Sequence, residues 1–134
     1  MYSYYAILLG MNSELTKHRQ KEIKVNGNSV YVDVAILPIV NFINSFKGTH
    51  TVSSCCGRSY CGKNYFNPHV SFVTTCINDI ENVIEKFSKN RTDYVMTQYT
   101  TLFGRKDLFR YYTIDFSSYK QMKDFSRFIS SYPT

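Results

Sequence analysis

Three short stripes of apolar residues at helical spacing, each set between runs of strand-type residues, restrict this chain to folds in which helices cover a sheet. From Asp33 onward Ile36, Ile39, Val40 and Ile43 follow the three-four spacing of one helix face. The second stripe is Ile80, Val83, Ile84 and Phe87; the third is Tyr119, Met122 and Phe125, with Lys120, Lys123 and Arg127 on the outer side. Asp33, Asn78 and Ser117 or Ser118 stand where N-caps belong, and Gly48 where the first helix should stop. Pro38 is compatible only with a first helical turn. Asp79 and Glu81 at the start of the second helix, and Lys86 and Lys89 near its end, match the helix dipole.

The intervening runs read as strands. They are Tyr2 to Leu9, Glu22 to Val25, Ser29 to Val34, Thr49 to Ser53, Val70 to Thr75, Tyr94 to Thr101 and Leu108 to Phe116. Asn26-Gly27-Asn28 supplies the tight turn of a β-hairpin between the second and third of them. Ser54 to His69 is expected to be a loop. No repeat, linker or low-complexity tract divides the chain, so residues 1–134 are expected to form one α+β domain, a mostly antiparallel sheet packed against two or three helices.

The 12 Tyr and 10 Phe cannot all stay solvated, which excludes a disordered chain. No apolar run approaches the roughly 18 residues of a membrane span, and Tyr4 to Leu9 has neither a basic segment before it nor a small-residue cleavage site after it. A cytoplasmic protein is expected. Cys55 and Cys56 are adjacent and crowd one loop with Cys61, which favours reduced thiols over disulfides. A net charge of +6 favours anionic partners, nucleotides or nucleic acid.

Chemistry concentrates at Thr49-His50-Thr51-Val52-Ser53-Ser54-Cys55-Cys56-Gly57-Arg58. A strand that runs into small polar residues, a glycine and an arginine can offer main-chain N–H groups, hydroxyls and a guanidinium to a phosphate, so Ser53, Ser54, Cys56, Gly57 and Arg58 are candidate ligand contacts. An ordinary strand-to-loop turn with a solvated arginine is the alternative. A second basic-aromatic group lies at Phe103-Gly104-Arg105-Lys106 and continues through Phe109, Arg110, Tyr111 and Tyr112. Phe103, Arg105 and Arg110 suit a base and its phosphate, unless they form a charged hairpin tip backed by core rings.

Other chemistries fare worse. The single five-residue step from Cys56 to Cys61 lacks the second ligand pair of a zinc site, so no metal is expected. Cys56 with His50 or His69 could form a nucleophile and base only on paper, and His18 has no identifiable partner. Asp33, Asp79 and Glu81 are taken up by helix starts, and Glu85 and Asp124 fall on helix surfaces, which leaves no carboxylate pair for acid-base work. Phosphate-loop, dinucleotide and metalloprotease motifs are lacking from the sequence. These residues suit binding an anion more than transforming one.

The segments Tyr31-Val32-Asp33, Lys47-Gly48-Thr49-His50-Thr51, Ser53-Ser54-Cys55-Cys56-Gly57-Arg58 and Asn67-Pro68-His69-Val70-Ser71-Phe72 resemble two families. One is the phage Thoeris anti-defence sponges. That resemblance implies a non-catalytic homo-oligomer in the host cytoplasm that sequesters a cyclic ADP-ribose isomer or another cyclic nucleotide, without cofactor and with neither membrane nor nucleic acid as partner; Arg58 and the region Arg105 to Arg110 fall where its ligand-binding arginines are expected. The other is the wybutosine-synthesis methyltransferases of tRNA modification, which carry a similar Ser-Ser-Cys-x-Gly-Arg run after a strand. It implies S-adenosylmethionine and a tRNA substrate, with Cys56 replacing that run's usual small hydroxyl and no acidic residue near the motif as ribose partner. The sponge is the first expectation and the tRNA-modifying enzyme the alternative.

Overall fold

The computed structural model describes residues 19–60, 63–103 and 108–132, with main chain only for residues 58–60, 63–66, 99–103 and 108–110. The expected first strand and His18 lie outside the described residues. Strands β1 (Gln20–Val25) and β2 (Asn28–Asp33) form the expected antiparallel hairpin, with Asn26 and Gly27 both at positive φ in its turn. A 3-10 turn (Val34–Ile36) leads into helix α1 (Leu37–Asn44), where Pro38 sits in the first turn. Then come β3 (Thr49–Cys55), a small hairpin β4 (Arg58–Tyr60) and β5 (Lys63–Phe66), β6 (His69–Thr74), α2 (Ile77–Ser88), β7 (Met96–Phe103), β8 (Leu108–Asp115) and α3 (Tyr119–Ser130).

Four strands make one antiparallel sheet in the order β3-β6-β8-β7. Val70, Phe72, Ile114 and Phe116 point from it into the core, where they meet Ile36, Ile39, Val40 and Ile43 of the first helical stripe, Ile80, Val83, Ile84 and Phe87 of the second, and Met122, Phe125 and Ile129 of α3. An α+β domain with three helices on one face of the sheet is the outcome. Aromatic rings hold the helix layer together: Phe125 lies 5.0 Å from Phe87, edge to face, and 5.4 Å from Phe116.

Several local expectations change. Helix α1 ends at Asn44, four residues before Gly48, and Ser45 caps its end by donating its hydroxyl to Phe42 O at 2.5 Å. Gly48 instead opens β3, and a β-carbon there would lie 2.3 Å from Thr75 Oγ1. Gly48→Ala should therefore cost on the order of 2–3 kcal/mol, from the clash and a φ of +72°, read as a lower urea midpoint. Helix α2 starts one residue ahead of Asn78, with Cys76 at the cap position. Tyr119 is 45% exposed, and the inward place in that turn goes to Gln121.

Asp124 is not a surface residue either. Its half-buried carboxylate accepts from Lys120 Nζ at 3.0 Å, Arg91 Nη2 at 3.1 Å and Arg127 Nη2. The Lys120 ammonium above all, then Arg91 and Arg127, holds its carboxyl below the usual carboxylate range. This cluster ties the loop after α2 to α3.

Candidate functional site

Strand β3 has a bulge at Val52, after which Ser53, Ser54 and Cys55 pair with Ser71, Val70 and His69. Side chains alternate across a strand, so the buried Val70 and Ile114 define the helix side, and the rows on either side of theirs face away from it. One such row is Cys55, His69, Asp115 and Met96; the next is Ser53, Ser71, Thr113 and Gln98. A thiol, an imidazole, a carboxylate, three hydroxyls and an amide thus share one polar face. Ser71 and Thr113 bond through their hydroxyls at 2.8 Å, and Gln98 donates to Asp115 Oδ2 at 2.9 Å. The imidazole of His69 is half-buried.

The Ser-Ser-Cys-Cys-Gly turn lies at the edge of that face. Gly57 reverses the chain at φ +84°, a conformation that favours glycine, and its N–H donates to Cys55 Sγ at 3.4 Å. Cys56 points the other way: it is buried, its thiol reaches Gly57 O at 3.6 Å, and its N–H donates to Asp33 Oδ2 at 3.0 Å. The other oxygen, Asp33 Oδ1, accepts from Gln20 Nε2 at 3.1 Å across the end of the β1–β2 hairpin. Asp33 is 6% exposed and caps no helix with its side chain. A carboxylate thus stands beside the motif, engaged with its main chain and with Gln20.

The expected site residues divide accordingly. Ser53, Ser54, Cys56 and Gly57 are brought together at the end of β3, Cys56 through its main chain. Arg58 starts β4, Phe103 ends β7 and Arg110 lies in β8, but their side chains, and Arg105 entirely, lie outside the described residues. Tyr112, a ring of the second basic-aromatic group, packs on the buried Phe72 at 6.0 Å. The Cys-His pairing does not form around Cys56, because His69 stands opposite Cys55 and His50 sits near the other end of β3. Loop 54–69 contains the β4–β5 hairpin, and no cluster of metal-ligating groups occurs among the described residues.

Two surface cavities of about 450 and 430 Å³ are lined by described residues, one by Lys24, Asn26, Asn44, Thr49 and His50, the other by Phe42, Phe46, Lys47, Lys86 and Tyr132. Neither reaches the turn. Among the described residues no helix is long and apolar enough to cross a membrane.

A family model described as Methyltransferase TYW3 matches residues 13–94, more than half of the chain. No curated protein and no solved structure matches it. The family match corrects the first expectation, a non-catalytic phage anti-defence sponge for cyclic nucleotides, in favour of an enzyme family. Both resemblances rested on the same segments, and the neutral hydroxyls and amides of the turn among them suit a nucleoside as readily as a phosphate, so those residues could not separate the two.

Proposed function

We propose, as the chain belongs to the TYW3 methyltransferase family, that it transfers a methyl group from S-adenosylmethionine to a base of tRNA. The observation that supports this reading most is the placement of the matched turn: Ser53 and Cys55 stand on the polar face that carries His69 and Asp115, and Gly57 reverses the chain at its edge. The donor's chemistry fits that set. The Ser53 hydroxyl and the Gly57 main chain suit ribose and carboxylate oxygens, and the Asp115 carboxylate suits a sulfonium or ammonium charge.

S-adenosylmethionine supplies an activated methyl on a sulfonium. The protein's part is then to bind, align and manage one proton. Ser53 and Gly57 orient the donor, while Arg58, Arg105 and Arg110 take tRNA phosphates and Phe103 takes a base face. A ring nitrogen of His69, next to Asp115 across the β6–β8 ladder, receives the proton that the acceptor nitrogen loses. Asp115 keeps the resulting imidazolium company.

The test is methyl transfer to bulk tRNA from radiolabelled S-adenosylmethionine, together with tRNA binding across a salt series. Incorporation into tRNA and a steep fall in affinity with salt are expected, since several arginines would release counterions. Lack of both donor binding and incorporation overturns the reading.

A further inference from the structure

We infer that Asp33 is a positioning residue for the methyl-donor site, acting through the main-chain N–H of Cys56. The inference rests on the methyltransferase reading of that turn. Asp33 ends β2 and its backbone leads into the 3-10 turn, where an N-capping side chain would serve the fold. Its carboxylate turns away instead and accepts from Cys56, 23 residues further along the chain. Burying a carboxylate is costly, so a shift of this acceptor from the nearest helix start to a distant turn calls for a gain at that turn.

That gain is conformational. Cys56 is the residue between Cys55, which faces the polar rows, and Gly57, where the chain reverses. Its amide fixes both neighbours: drawn to Asp33 Oδ2 at 3.0 Å, it holds the Cys56 side chain inward and leaves Gly57 N–H on Cys55 Sγ. Gln20 Nε2 on the second oxygen, at 3.1 Å, and Val34 N–H on Arg19 O, at 2.8 Å, brace the carboxylate from the end of the β1–β2 hairpin. Hairpin and turn therefore form one unit joined at a charge, and the groups offered to the donor keep their spacing only while that charge is in place.

The experiment uses the full chain and three variants: Asp33→Asn, the exchange Gln20→Glu with Asp33→Asn, and Gln20→Ala. Asparagine at 33 can still turn its Oδ1 to Cys56 N–H and its amide to Gln20, so it replaces a charge-assisted bond with a neutral one, whereas the exchange returns a carboxylate to the pair at 20 and 33. Asp33→Asn should weaken S-adenosylmethionine binding by about fivefold and raise KM in step, with kcat within about threefold, because a bond to a charged acceptor becomes a neutral one. The exchange should recover most of the affinity, which a purely structural role would not require. Amide hydrogen exchange at Cys56 and Gly57 should accelerate in the single variant and slow again in the double.

A folded Asp33→Asn protein with wild-type affinity and wild-type exchange at Cys56 overturns the inference. Should that variant not fold, Gln20→Ala decides, because Gln20 is exposed: about threefold weaker binding supports the inference and unchanged binding overturns it. A wild-type chain that binds no S-adenosylmethionine overturns the methyltransferase reading itself and this inference with it.

Discussion

Phe125→Ala should lower the stability of the domain by about 3–5 kcal/mol, the largest loss expected from a single truncation here. Phe125 is 1% exposed and touches three other rings, Phe87, Phe116 and Phe128. It joins α2, the end of β8 and α3 at one point, so removal leaves a cavity that no neighbour can fill without breaking a ring contact elsewhere. A chain of this length would then melt roughly 10–20 °C lower. Equilibrium unfolding in urea checks the value, and a loss under about 1 kcal/mol would show that the helix layer repacks.

Gly57→Val should remove at least about 99% of methyl transfer while leaving the helix layer folded, because a β-branched residue at φ +84° carries local strain of about 1–3 kcal/mol and forces the turn to another shape. The effect on activity should exceed the effect on stability, since the turn borders the core and the whole donor surface depends on its path. Methyl incorporation alongside a far-ultraviolet circular dichroism spectrum separates the two. Retained activity in a folded variant would show that Ser53 to Gly57 do not carry the donor.

Much of the architecture is legible in spacing. The stripes at 36–43 and 80–87 are buried as expected, and Asn26-Gly27 turns the hairpin, because periodicity reports which face must leave water. What spacing misses is polar burial resolved at a distance. Gln121 is fully buried because its side chain accepts from Ser117 N at 2.8 Å and donates to Tyr94 O at 3.0 Å, partners that no local pattern announces. Asp33 is the same case with more consequence: its place before a helix reads as a cap, and only the fold reveals Cys56 above it. The β4–β5 hairpin escaped for another reason, since its strands are too short to show alternation. The motif itself was readable, but His69 was read only against Cys56, and Asp115 not at all, because strand order decides which residues stand beside the turn.

Strand order also sets how this family segment can be inherited. The matched residues end at 94, yet β8, which begins at Leu108, pairs with β6 and separates it from β7. Two of the three contributors to the polar face beside β3 are β6, within the match, and β8, outside it. A fragment ending at 94 would therefore leave β6 with a bare edge and half of the candidate site unbuilt. The match boundary therefore cuts through the polar face: exchange of the segment after residue 94 would keep Ser53 to Gly57 and His69 while replacing Gln98, Thr113 and Asp115.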